Sequence, residues 1–210
     1  SYISKNLNAL KKNVIAGYVI TCVGDERCFS YVPSRQGNTL SDKIALKVLK
    51  KRKGRKKTYT WLDRSSDERQ FCSPGIDLPF CSVMKSKYGT YPEYHTSLDT
   101  IGSVLTSKGL TDSIFFYRKI IKEIEKVILP LSKIKCEPFM TKYKLYHTLN
   151  NKFNWKEKRL KKTRDIMNFI SYCDQSHSIE EISKKINLSI NNCKKIFNLL
   201  LKKKILHTEL

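Results

Sequence analysis

Three side chains in one short stretch have the types and spacing for hydrolytic chemistry: Tyr94, His95 and, four residues past the histidine, Asp99. A phenol can donate to a developing oxyanion. An imidazole can hold a metal or move a proton near neutral pH, and a carboxylate can orient that imidazole. The stretch follows Leu78-Pro79-Phe80-Cys81-Ser82-Val83-Met84, an apolar run of strand length introduced by a Pro74-Gly75 turn. Loops just past buried strands are where α/β proteins place chemistry. A further carboxylate, Asp25, closes the near-continuous apolar run Val14 to Val23, which reads as a central strand covered on both faces. Asp67 and Glu68, behind Ser66, read as helix-start acids. Arg27, Arg35 and Arg69 read as partners for those acids, with binding of a substrate carboxylate as the alternative.

Positioning such residues requires a scaffold, and the pattern supplies one. Ile3, Leu7 and Leu10 predict a helix over 2–12. A polar loop with Pro33, Ser34, Arg35 and Gly37 leads to Asn38, a candidate cap for a helix carrying Leu40, Ile44 and Val48. Lys50 to Lys57 is almost solid positive charge and reads as a solvated turn in preference to a nucleic-acid patch. A short strand over 57–62, a helix from 66 and the strand at 78–84 come next. Ile114, Phe115, Ile121, Ile124 and Ile128 then predict an amphipathic helix stopped by Pro130. This alternation is an α/β rhythm, a sheet flanked by helices over residues 1–130.

Residues 131–154, with Pro138 and Asn150-Asn151, read as a linker. Residues 155–210 form a different unit. A basic helix over 155–173 is followed by Ser178-Ile179-Glu180-Glu181, a capping box, and by a turn and helix from Ile190. Ile205-Leu206-His207 supplies a wing strand. The spacing resembles a winged helix-turn-helix, in which Ser189, Asn191, Asn192, Lys194 and Lys195 would head the recognition helix.

The 210 residues are 40% hydrophobic, enough for a core, and carry 41 Lys and Arg against 19 Asp and Glu, a formal charge of +22. That balance fits acidic partners, nucleic acid among them, or compositional drift. Seven scattered cysteines without a CxxC pair, no signal peptide and no apolar run of membrane-spanning length point to a reduced, cytoplasmic protein with no membrane role. The first residue is Ser, which suggests trimming or a piece of a longer chain.

Asp67-Glu68-Arg69-Gln70-Phe71-Cys72-Ser73-Pro74-Gly75, the apolar strand, and Tyr91-Pro92-Glu93-Tyr94-His95-Thr96-Ser97 together resemble the end of the aminopeptidase-type zinc exopeptidases, closest to a bacterial aminopeptidase-like branch. The resemblance implies a three-layer α/β/α sandwich, present in part, and one or two zinc ions in the full-length protein. It implies hydrolysis of a peptide or small amide by metal-activated water, and leaves a homo-oligomer open. It makes His95 the last metal ligand and Asp25 the mid-sequence acidic ligand, although Thr21-Cys22-Val23-Gly24-Asp25 stands where the family has Asn-x-Asp. Tyr94 would be catalytic and Asp99 would orient the imidazole. The family's upstream His–Asp and Glu–Glu pairs have no counterpart before Ile20, so the chain alone is expected to be silent. A DNA-binding winged-helix protein and a non-catalytic scaffold of the same fold are the competing classes.

Overall fold

The computed structural model describes residues 2–145 and 158–207. It divides into two compact units, Ser1–Glu125 and Lys126–Leu210.

The first unit opens with α1 (Tyr2–Lys5) and α2 (Leu7–Asn13), then alternates β1 (Gly17–Val19), β2 (Phe29–Val32), α3 (Leu40–Lys51), β3 (Lys56–Thr58), a 3-10 turn at Trp61–Asp63, α4 (Glu68–Phe71), β4 (Phe80–Met84) and α5 (Ser107–Ile124). The four strands form one mixed sheet in the order β1-β4-β2-β3. β1 runs parallel to β4, with Tyr18 opposite Cys81, and β2 runs parallel to β3 and antiparallel to β4. The long apolar run at 14–23 yields only three strand residues, and they lie at an edge of this sheet. Cys22 at φ +48° turns the chain away, and Ile20 is 61% exposed. The centre belongs to β4 and to β2, which occupies part of the expected polar loop and is buried at every position.

α3 is capped by Thr39, not Asn38, in a capping box with Asp42. The wholly buried Asp42 carboxylate also accepts from the Tyr31 hydroxyl at 2.7 Å and the Ser34 N–H at 2.9 Å. One acid thus ties the end of β2 to the start of α3. α5 buries Phe116 and Ile120 with Gly109 and Ser113. The expected face is turned outward instead, with Ile114, Phe115 and Ile121 exposed. The reason is steric: α5 approaches Gly24 so closely that a Cβ on Gly109 would stand 1.8 Å from the Gly24 carbonyl oxygen, so its small residues must face inward.

The second unit holds α6 (Lys158–Ile170), α7 (Ile179–Lys185) and α8 (Ile190–Lys202) around a core that includes Phe169, Ile182, Leu200, Ile205 and Leu206. The Ser178–Glu181 capping box opens α7. Within the stretch read as a linker, Ser132 bridges antiparallel to Leu206, Leu131 bridges to Asp174, and Met140 and Leu145 are buried in this core. The remainder of that stretch, 146–154, and the start of the basic helix at 155–157 lie outside the described residues.

Glu68 is a second buried hub, set against β4. It accepts from the Tyr88 hydroxyl at 2.6 Å, the Ser65 and Ser66 N–H groups at 2.9 Å and the Ser82 hydroxyl at 2.8 Å. Burial disfavours its charge, but the bonds from Tyr88, Ser66, Ser82 and Ser65 outweigh that and hold its carboxyl below the ordinary value. A carboxyl with a lower pKa in the folded than in the unfolded chain adds stability that is complete above the unfolded value, near ~4.3, and is lost as pH falls through the folded value. The melting temperature is therefore expected to drop on acidification below about pH 4, and Glu68→Gln to flatten that drop. Glu68→Ala, which orphans several buried donors, is expected to cost roughly 3 kcal/mol in denaturant unfolding.

Candidate functional site

Parallel pairing of β1 with β4 brings the C-terminal ends of two strands side by side, so the loops leaving them meet. Lys85 N–H donates to the Cys22 carbonyl at 2.8 Å, and the next residue grips the first loop twice. Ser86 donates its N–H to Asp25 Oδ2 at 2.7 Å and its hydroxyl to Oδ1 at 2.9 Å. Oδ1 also accepts the Arg27 N–H at 2.8 Å. α5 closes the back of this loop: Thr106 N–H donates to the Gly24 carbonyl and the Ser113 hydroxyl to the Val23 carbonyl. Asp25 is 5% exposed, and both its oxygens are engaged in shaping the loop.

Beyond Ser86 the chain descends through tight turns to the histidine. Tyr94 N–H bonds the Tyr91 carbonyl, Thr96 N–H the Glu93 carbonyl and Asp99 N–H the Thr96 carbonyl. Tyr94 is half-buried against Val32, Met84 and Tyr88. His95 stacks on the Tyr94 ring with centroids 4.1 Å apart. Its ring is exposed and its backbone is left-handed at φ +58°, a conformation uncommon outside glycine and enriched in Asn, Asp and His. Asp99 faces Tyr91 rather than His95: the Tyr91 hydroxyl donates to it at 3.3 Å and to Cys22 Sγ at 3.8 Å. Burial, then the Cys22 contact and Asp99, push the Tyr91 phenol upward.

Arg27 joins the two loops. It pairs with Glu93 at 2.7 Å and lies 5.5 Å over the Tyr91 ring. The sequence does not single out Glu93, yet its second oxygen, Oε2, is buried with no hydrogen-bond partner among the described residues. The Arg27 bond, after a bond from its own backbone, holds its carboxyl below the ordinary range. A charged loop residue two positions before the histidine is the only signal available, and nothing in its type separates it from a surface acid.

The other candidates lie apart from this cluster. Arg35 pairs with Asp77 at 2.5 Å, Asp67 is exposed beside α4, and Arg69 donates to the Ser66 carbonyl. In the second unit the Ser189 hydroxyl caps α8 by accepting the Asn192 N–H at 3.3 Å, and Asn191, Asn192, Lys194 and Lys195 are exposed. Among the described residues no three His, Cys, Asp or Glu side chains gather so as to hold a metal ion.

Residues 1–127, more than half of the chain, match the model of a family described as a domain of unknown function, DUF4910. The chain belongs to the DUF4910 family. Its residues 129–208 match a winged helix-turn-helix model, beginning just after the DUF4910 match ends. Over 151 residues, 71% of the chain, it is 38% identical to a Clostridium acetobutylicum protein named "Putative polysaccharide biosynthesis protein with aminopeptidase-like domain". A crystal structure of a "putative peptidase" from the same organism aligns over 98% of the chain at 30% identity, with a TM-score of 0.58. The DUF4910 chain thus has a peptidase-like mixed α/β unit followed by a winged helix-turn-helix. It spans 34% of the curated relative and 44% of the solved chain. No described helix is long and apolar enough to cross a membrane.

Asp25 and His95 separate cleanly by experiment. Asp25→Ala strands the Ser86 and Arg27 donors and is expected to lower stability by about 2–3 kcal/mol. His95→Ala, at an exposed ring, is expected to shift unfolding by less than ~1 kcal/mol. Denaturant titration of both variants followed by circular dichroism makes the comparison.

Proposed function

We propose that this chain contributes the histidine-bearing loop of an aminopeptidase-like metallohydrolase, with His95 as a zinc ligand. The observation that carries the reading is His95 itself, presented in left-handed backbone and stacked on Tyr94 at the C-terminal end of two parallel strands. Non-glycine residues held in such conformations concentrate at functional sites. The names of the two C. acetobutylicum relatives support it, and both relatives extend well beyond the matched length. The remaining ligands would come from residues outside those described.

A zinc ion held there would acidify a bound water and polarise an amide carbonyl. Tyr94 would offer its hydroxyl to the oxygen of that carbonyl as charge develops. Asp25 would act as the clamp that fixes the loop rather than as a ligand. The orphan oxygen of Glu93 fits the free amino group of an aminopeptidase substrate, reached when the more exposed Arg27 turns aside. A second reading, nucleic-acid binding through α8, is favoured by the exposed Asn191, Asn192, Lys194 and Lys195 at its start.

Elemental analysis of the longest natural form tests the first reading. One or two zinc equivalents per chain, reduced in His95→Ala, are expected; absence of metal from that form overturns the reading and leaves a peptidase-fold scaffold. In a form that turns over peptides, Glu93→Gln is expected to raise KM by about tenfold with a smaller change in kcat, the mark of lost ground-state binding. Turnover by the 210-residue chain alone would show that no further residues are needed and refute the incomplete site.

A further inference from the structure

From the first turn of α3 to just past β3 the chain concentrates positive charge with no acid among it. Residues 43–62 contain nine Lys and Arg and no acid. The structure separates these cations by role. Arg52 turns inward to Asp112 and lies 4.4 Å over the Phe29 ring. Lys50, Lys51, Lys53, Arg55, Lys56 and Lys57 are all exposed, and among the described residues none of them has an ion-pair partner. Gly54, at φ +102°, lets the chain reverse tightly between them. Six like charges on one turn repel one another, a cost with no return inside the folded unit.

Edge protection accounts for only part of this. Lysines on an edge strand discourage unwanted strand pairing, and β3 is an edge strand exposed at every residue. Lys56 and Lys57 suffice for that purpose. The remaining four extend the charge back through the turn to the end of α3. Two half-buried aromatics come directly after, Tyr59 and Trp61, and Lys87 from the loop after β4 places its ammonium 5.3 Å over the Tyr59 ring. Dense cations bordered by aromatics, beside a strand edge whose outward N–H groups lack a neighbouring strand, match the requirements of a polyanion.

We propose that the α3–β3 turn and the edge strand β3 form a sequence-independent contact for the phosphate backbone of duplex nucleic acid. Nucleic acid is the polyanion favoured because the same chain carries a winged helix-turn-helix with Asn and Lys exposed at the start of α8. The turn is assigned to the backbone because its exposed groups, five lysines and Arg55, are cations on long flexible stems that can meet phosphates whatever the sequence. This inference is independent of the hydrolase reading and survives its failure.

The test is fluorescence anisotropy of a labelled duplex of about 20 base pairs, titrated with the whole chain from roughly 50 to 200 mM salt. One variant carries Lys53→Gln, Arg55→Gln, Lys56→Gln and Lys57→Gln; a second carries Lys50→Gln and Lys51→Gln; a third carries Lys194→Gln and Lys195→Gln on α8. All sites are exposed, and thermal melts confirm that each variant folds. The first variant is expected to bind at least ~10-fold more weakly and to flatten the plot of log K against log salt by about 0.9 for each phosphate left unneutralised, some 2–4 in all. Weakening confined to the α8 variant, with the first two variants unchanged, overturns the proposal. So does absence of duplex binding by the parent chain at ~50 mM salt. Binding of a uronic-acid polymer without binding of duplex also overturns it and assigns the turn to an acidic polysaccharide.

Discussion

The double hydrogen bond between Ser86 and the buried carboxylate of Asp25 is the constraint on which the candidate site depends. Parallel strands β1 and β4 place two loops at one end of the sheet, but pairing over three residues does not fix the course of those loops. The carboxylate does, because it joins the first residues of one loop to the first residues of the other. The close approach of Gly109 to Gly24 braces the same loop from behind. Arg27 can then reach Glu93 and Tyr91, and the His95 turn is held where the two loops converge.

The same device recurs. Asp25, Asp42 and Glu68 are all buried, and each has hydrogen bonds from backbone N–H groups and hydroxyls. In a chain with twice as many cations as acids, several of its few acids serve as internal fasteners rather than as surface partners. A carboxylate held by backbone N–H groups and short hydroxyls keeps a loop rigid, which salt bridges to mobile lysines would not achieve. The outcome is a molecule with an ordered interior and an excess of positive charge at its surface.

Much of this is readable from residue order, and the exceptions have physical causes. The β4 run, the loop after it and the Ser178–Glu181 box obey local rules and can be placed directly. β2 cannot, because Phe29-Ser30-Tyr31-Val32 is short, contains a serine and is wedged between a charged turn and a proline. The buried face of α5 is misleading in the sequence because Ile114, Phe115 and Ile121 are its conspicuous residues, whereas packing against Gly24 selects Gly109 and Ser113. His95 and Tyr94 are recognisable from their wording. The partner chosen by Asp99 and the orphan oxygen of Glu93 depend on how two loops meet across the sheet, which no local window contains.

The bridge between Ser132 and Leu206 bears on how the second unit is made. Its opening segment is held between Asp174 and Leu206, so one side of it can pair with the chain around Cys173 to Gln175, whereas the other has no partner until Leu206, about seventy positions later, has been synthesised. The helices α6, α7 and α8 are local and can form as they emerge, but closure is the last event and has the greatest sequence separation. Ile205 and Leu206 are fully buried, so the unit's apolar interior stays uncovered until they arrive. During synthesis this unit is expected to be the later and more protease-sensitive of the two, even though its helices are short and quick to form.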